Sequence, residues 1–427
     1  MIFRILVILV VCISCSPYRY LTKELKSAET QFQDHIGFVV FDPEEKKTLY
    51  EFNSTKYFTP ASNTKIFTFY AGLNILGDSI ESLRYIERND SLIFWGTGDP
   101  SLFYSEVFQN PSTFNFLKNS DKTLIFSSSN FNTTPLGSGW AWSDYQNTYS
   151  VERSPLPVFG NSMTVTWNGI DSVQTHPLYF QKEISLSSHS EKETDIKRRI
   201  NSNEILIVRS DSVYRQSWDL AFRTSPETVV ALLSDTLQKQ VAYLEIPYDS
   251  NAQTLYSIPA DSLFRVMMQD SDNFIAEQIL LLCSGKLSDT LNTDWTINYV
   301  KENYLADLPD KPQWVDGSGL SRYNLFTPRS IVALWDKIYA DVAHERLFTL
   351  LAVGGQSGTL RNGYKHDPPY VFAKTGTLRN NHNLSGFLKT KKGKIFIFSF
   401  MNNHFMVPTR DVRSLMESTL KKIYEKN

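Results

Sequence analysis

The hexapeptide Pro60-Ala61-Ser62-Asn63-Thr64-Lys65 constrains this chain more than any other stretch, because it leads straight into an apolar run. Ile66-Phe67-Thr68-Phe69-Tyr70-Ala71-Gly72-Leu73 is apolar enough for a buried helix, and Pro60 suits a helix entrance. A serine and a lysine three residues apart therefore enter the core on one helix face, where Ser62 Oγ and the Lys65 amine can meet. A serine hydroxyl is a weak nucleophile until a neighbouring base takes its proton. A lysine becomes such a base when burial and nearby positive charge lower its pKa. A place near a helix N-terminus adds backbone N–H groups beside the reacting carbonyl. S-x-x-K alone describes an ordinary surface pair as readily as a catalytic one, so its meaning depends on the partners the chain supplies.

At 427 residues the chain exceeds one ordinary core, and two or three domains are expected. Apolar residues make up 41% and aromatics 13%, as in a folded globular protein. A net charge of −2 without a basic cluster disfavours nucleic-acid binding. The histidines are scattered with no H-E-x-x-H, and the cysteines form no C-x-x-C, so no metal and no disulfide framework are expected. Cys283 lies in Ile279-Leu280-Leu281-Leu282-Cys283, the setting of a buried core thiol.

The N-terminus reads as an address. Arg4 gives a positive charge, Ile5 to Ile13 is apolar, and Ser14-Cys15-Ser16 closes the run. It is shorter than the roughly 20 residues of a spanning helix, so it is expected to be a secretory signal peptide, residues 1–15. Ser14 before Cys15 is similar to a bacterial lipoprotein processing site, at which Cys15 becomes the lipidated first residue. Cys12 stands where such sites usually carry leucine, and a plain signal peptide cut nearby is the alternative.

Residues 36–52 read as a hairpin turning through Asp42-Pro43-Glu44-Glu45-Lys46-Lys47. From 78 to 255 short alternating runs, such as Leu92–Trp95, Thr123–Phe126 and Met163–Trp167, are separated by Asn, Asp, Ser, Gly and Pro, which predicts one or two mostly β inserted domains. Pro226 to Gln240 is a helix candidate within them. Gly96-Thr97-Gly98-Asp99-Pro100 and Gly139–Tyr145 are expected to be packing loops. Ser187 to Arg199 is charged and expected to be exposed. Helical periodicity returns near Pro259. Ser271-Asp272-Asn273 falls between two apolar helices, where an N-cap cluster also explains it. Asp316-Gly317-Ser318-Gly319-Leu320-Ser321 reads as a turn, and Thr327-Pro328 as a helix start. Val371-Phe372-Ala373 leads a strand into Lys374-Thr375-Gly376-Thr377-Leu378, with Gly376 permitting close backbone approach, expected to be by a ligand. A second hairpin turns at Lys391-Lys392-Gly393, and Thr409 to Lys426 is an amphipathic terminal helix.

S-x-x-K, S-D-N and K-T-G are each weak alone and strong together, in this order and on these elements, as in class A β-lactamases and penicillin-binding proteins. Ser62 and Ser271 stand 209 positions apart, more than a compact β-lactamase allows, and Ser271 and Lys374 stand 103 apart. That insertion, D-G-S-G-L-S at 316–321 and K-T-G-T-L at 374–378 resemble the class C low-molecular-mass penicillin-binding proteins, D-alanyl-D-alanine carboxypeptidase/endopeptidases of peptidase family S13. Gly98-Asp99-Pro100-Ser101-Leu102 and Gly139-Trp140-Ala141-Trp142 are similar to that family's inserted region.

The resemblance implies an α+β fold: a transpeptidase domain of the β-lactamase/penicillin-binding-protein type, with an antiparallel sheet between helical layers and a mostly β insertion. The domain would be built from residues 16–77 and 256–427 around the insert 78–255. It implies that Ser62 attacks the carbonyl between two terminal D-alanines and forms an acyl-enzyme. Lys65 takes the serine proton, and Ser271 relays one to the departing amine. Asn273 holds Lys65 and the substrate amide. Lys374 adds positive potential that depresses the Lys65 pKa. Thr375 and Thr377 bind the substrate carboxylate along the strand broken by Gly376, and the N–H groups of Ser62 and Thr377 form an oxyanion hole. No cofactor is implied. The implied partners are peptidoglycan stem peptides, with β-lactams as inhibitors, and the implied location is the periplasm or cell envelope, with membrane attachment through a lipidated Cys15. Asp272, Asp316 and Ser318 are expected to support loops rather than catalyse. The alternatives are a β-lactamase-type hydrolase and a catalytically silent envelope protein on the same fold.

Overall fold

The computed structural model describes residues 19–107, 110–169, 172–187, 194–208 and 214–427. The expected signal segment with Cys15, and part of the charged stretch 187–199, lie outside the described residues.

A six-stranded sheet runs in the order Ala352–Val353, Val371–Leu378, Asn381–Lys389, Ile395–Asn403, His35–Asp42, Lys47–Phe52, with every pair antiparallel. The first hairpin forms as its alternation predicts. It joins the C-terminal strands with Phe38 opposite Phe400. Successive side chains point to opposite faces. Phe38, Val40, Leu384, Phe398 and Phe400 pack with Val412, Met416 and Leu420 of helix Thr409–Lys426. Val39, Phe387, Ile397 and Met401 pack on the other face with Trp335 and Ile338 of helix Pro328–Asp341. Helices thus cover both faces, and burying each such side chain contributes about 1.5–3 kcal/mol.

Helix Arg19–Phe32 is an addition to the expected elements. It buries Leu21, Leu25 and Ala28, spaced at i, i+4 and i+7, on the same face as the terminal helix. Helix Lys65–Ile75 is buried around nearly its whole circumference, as its unbroken apolar run requires. It lies against helix Asn273–Leu287, which is buried from Phe274 to Ser284. Cys283 is buried in that helix, and burial pushes its thiol pKa upward.

The chain departs along Ser79–Arg88 and returns along Gln253–Pro259, and these strands pair antiparallel. They edge a mixed sheet ordered Val241–Tyr243, Thr123–Ser127, Ser91–Gly96, Ser79–Arg88, Gln253–Pro259. Two three-stranded sheets accompany it, centred on Ser162–Trp167 and Ile205–Val208. One apolar cluster joins all three sheets through Leu83, Phe94, Phe126, Met163, Val165, Ile205 and Ile207. Helix Pro226–Leu237 packs on it and starts at Ser225, whose side chain accepts from Thr228 N. It stops short of Gln240 because Gln238 takes a left-handed φ of 52°. Among the described residues no helix is long and apolar enough to cross a membrane.

Candidate active site

Ala61–Thr64 form a 3₁₀ turn that runs directly into helix Lys65–Ile75. Ser62 therefore precedes the α-helix instead of lying on it. With three residues per turn, positions i and i+3 eclipse, which sets Lys65 against Ser62. Lys65 Nζ donates to Ser62 Oγ at 3.0 Å, to Asn273 Oδ1 at 2.6 Å and to the Ser318 carbonyl at 2.7 Å. The lysine is fully buried, while Ser62 keeps part of its surface open. Burial lowers the Lys65 pKa to about 8, against the opposing pull of Asp272, Asp316 and Glu277.

Ser271 holds a positive φ of 69°, costly for a residue with a Cβ. From there its Oγ accepts from Lys374 Nζ at 2.7 Å. Asp272 caps the following helix, accepting from Ile275 N at 2.8 Å, which makes Asn273 its first residue. Asn273 Nδ2 donates to the Tyr149 carbonyl at 2.8 Å, so the amide is gripped from both ends. Lys374 is fully buried. Burial first, and then the Lys65 charge, hold its pKa well below the usual lysine value. Desolvation is the leading cause at both lysines, and the repulsion between the two ammoniums adds to it.

Gly376 answers to a close approach, though by the chain itself. A Cβ there would lie 2.4 Å from the Pro60 carbonyl oxygen and 3.0 Å from Ser62 N. The strand bearing Lys374 can thus lie flush against the turn bearing Ser62. Asn63 Nδ2 ties the two by donating to the Lys374 carbonyl at 2.8 Å.

The turn at 316–321 closes the third side. Asp316 accepts from Gly319 N, Ser321 N, Asn324 Nδ2 and Trp140 Nε1 at 2.7–2.8 Å. Ser318 contributes through its main chain: its N–H donates to Glu277 Oε1 at 2.8 Å and its carbonyl holds Lys65. Glu277 Oε2 in turn binds Arg153, whose guanidinium also stands over the Trp140 ring. Arg153, Glu277 and Tyr149 carry no motif, and only their buried or polar partners in space reveal them. The Gly96–Pro100 turn packs, as expected: Asp99 is buried and accepts from Ser101 and Ser257. The Gly139–Tyr145 loop packs only in part, since Trp140 reaches Asp316 while Trp142 is exposed.

Cavities flank this cluster. One of about 500 Å³ is lined by Tyr104, Tyr149, Thr164, Asp219, Ser271 and Asn273 among others. Another of about 420 Å³ is bordered by Thr375 and Thr377. Thr375 Oγ1 donates to Thr359 Oγ1, and Thr377 Oγ1 lies against His382 Nδ1, both at 2.8 Å.

A buried lysine paired to a serine at a helix entrance, beside a second buried lysine on a strand of the sheet, defines the active-serine class that includes penicillin-binding proteins. Within that class the chain belongs to the D-Ala-D-Ala carboxypeptidase 3 (S13) family, whose model matches residues 21–423. It is 22% identical to D-alanyl-D-alanine carboxypeptidase DacB of Haemophilus influenzae, over 87% of this chain and 86% of that protein. It is 23% identical to penicillin-sensitive carboxypeptidase A of Dictyostelium discoideum, over 87% of this chain and 83% of that protein. The crystal structure of penicillin binding protein 4 (dacB) from Haemophilus influenzae superposes with a TM-score of 0.76 at 20% identity, covering 93% of this chain and 99% of that one. The fold is therefore the expected α+β one.

Proposed function

We propose that this chain is a serine D,D-peptidase that hydrolyses D-Ala-D-Ala termini, D-Ala-diamino acid cross-links, or both, in peptidoglycan. The observation that carries the reading is the position of Lys65 Nζ, buried and 3.0 Å from Ser62 Oγ with a pKa of about 8. Lys65 takes the Ser62 proton as Oγ attacks the carbonyl of the penultimate D-alanine. The N–H groups of Ser62 and Thr377 receive the developing oxyanion. Asn273 orients Lys65 and the substrate amide. As the C–N bond breaks, the proton taken by Lys65 is relayed through Ser271 to the departing amine, leaving both residues as they began, and Lys374 steadies Ser271. Thr375 and Thr377 hold the carboxylate beside that amine. Water then attacks the Ser62 ester, releasing the acid and restoring the serine.

β-Lactams present the same carbonyl and carboxylate pair and would acylate Ser62. The mature chain would work in the cell envelope, exported by its first 15 residues and held at a membrane if Cys15 is lipidated. The segments 16–77 and 256–427 would carry the chemistry, with 78–255 inserted between them. The test is labelling of the purified protein with a fluorescent penicillin beside Ser62→Ala, followed by intact mass and incubation with muropeptides. A stable adduct on the unmodified protein only, with release of D-alanine or cleavage of cross-links, is expected. Sustained hydrolysis of the penicillin without an adduct would favour the β-lactamase alternative. No adduct and no turnover would favour the silent one.

A further inference from the structure

The cavity bordered by Thr375 and Thr377 extends well past the two hydroxyls. Helix Thr409–Lys426 closes its far side with Arg410, Arg413, Ser414 and Glu417. At about 420 Å³ it falls in the range of pockets that enclose drug-sized ligands. A departing D-alanine ends at the carboxylate that the threonines would hold, and it carries no second carboxylate. Where the cross-linking diamino acid is a diaminopimelate, the departing half carries the same α-carboxylate, but its side chain continues into a whole stem peptide with further carboxylates.

The charges of the cavity suit that larger group. Arg410 and Arg413 are exposed. Among the described residues the Arg410 guanidinium meets only its neighbour Asp411, at 3.5 Å, and the Arg413 guanidinium makes no hydrogen bond or ion pair. The one lining carboxylate, Glu417, is already engaged by Tyr364 N at 2.9 Å. His382 is buried and held neutral, its pKa pushed down to about 3 by burial and by the Arg413 charge, so it supplies no competing cation. Two guanidinium groups thus face a cavity that begins at the carboxylate end of the cleft. Each can grip a carboxylate through two N–H donors.

We infer that this cavity receives the departing stem peptide of a cross-linked peptidoglycan dimer, and that Arg410 and Arg413 bind a second carboxylate on it. The inference rests on the D,D-peptidase reading. It shifts that reading toward endopeptidase action.

The experiment compares kcat/KM for cleavage of a purified cross-linked muropeptide dimer with kcat/KM for D-alanine release from a monomeric pentapeptide. It uses the full mature chain, Arg410→Ala/Arg413→Ala, and Arg413→Lys. The dimer-to-monomer ratio is expected to fall about tenfold or more in the double variant, chiefly through KM for the dimer, and by less in Arg413→Lys, which keeps the charge without the fork. Penicillin labelling of Ser62 reports whether each variant is folded. A ratio within about twofold of the unmodified protein, in a variant that labels fully, overturns the inference. Should the double variant fail to label, the ratio in Arg413→Lys decides. An unmodified protein that acts on neither substrate sinks the D,D-peptidase reading, and this inference with it, before any variant is made.

Discussion

Arg153 Nε and Nη2 lie 2.9 and 2.6 Å from Glu277 Oε2, and the two side chains are only 3% and 1% exposed. The other Glu277 oxygen fixes the Ser318 peptide, whose carbonyl holds Lys65. Arg153, which lies between the strands Ser79–Arg88 and Gln253–Pro259 in the chain, is thereby joined through a short chain of hydrogen bonds to the proposed base. Removing one partner leaves an uncompensated buried charge, a loss of about 3–5 kcal/mol. Arg153→Met and Glu277→Gln should each lower the unfolding free energy, measured by denaturant titration, by about that margin. Arg153→Met/Glu277→Gln should recover part of it. Single variants within about 0.5 kcal/mol of the unmodified protein would mean that the pair is not a structural tie.

Acylation needs Lys65 unprotonated. With its pKa at about 8, the second-order rate of Ser62 labelling by penicillin should rise about tenfold per pH unit below that value and level off above it. Glu277 pulls this pKa upward, so in Glu277→Gln the rising limb should move to lower pH. A limb that stays in place would show that the Glu277 charge is not felt at Lys65.

Stability should follow the same groups. Lys65 and Lys374 both bind protons more weakly folded than unfolded. Between pH 8 and the ordinary lysine value near 10.5, the unfolded chain therefore holds more protons on Lys65 than the folded one. The contribution of these lysines becomes more favourable as pH rises through that window, and unfolding free energies at pH 8 and 10 would measure it. In Lys65→Met/Lys374→Met that rise should shrink.

Gly376→Ala should damage the site while sparing most of the fold. The new methyl carbon meets the Pro60 carbonyl at 2.4 Å, so strand and turn must part. Such overpacking costs about 1–3 kcal/mol. The rate of penicillin labelling should fall about 10²-fold, because displacements near 1 Å have that effect on positioned reactants. A Gly376→Ala variant that labels at the normal rate would show that the contact is slack.

Ser271 separates chemistry from backbone strain. Ser271→Ala and Ser271→Gly both lose the hydroxyl that meets Lys374, and acylation should drop by about 10²-fold or more in each. Only glycine relieves the positive φ, so Ser271→Gly should be more stable than Ser271→Ala by about 1 kcal/mol. Equal thermal midpoints would argue that no strain is held there.

Much of this molecule is legible in the chain because its signals are local. The hairpin at 35–52, helix Thr409–Lys426 and the strand bearing Lys374 follow from alternation, periodicity and turn residues within a dozen positions. Helix Arg19–Phe32 shows only a sparse apolar stripe beside the signal-like segment, so its place against the sheet becomes visible only with the sheet present. The end of helix Pro226–Leu237 turns on one left-handed residue, Gln238, which propensity does not mark.

The sequence by itself determined the reactive inventory: Ser62 three residues from Lys65, Ser271 two from Asn273, and Lys374 before Thr375, Gly376 and Thr377, in family order. Spacing along a chain says nothing of distance across it. Only the tertiary structure decided that the Ser318 carbonyl joins the expected Asn273 oxygen on Lys65 Nζ, and that Arg153 stands behind them through Glu277. It also decided that Gly376 makes room for the turn at Pro60. Burial and hydrogen bonds between residues 253 and 311 positions apart, Lys65 with Ser318 and Asn63 with Lys374, depend on how separate layers pack, which no local pattern encodes.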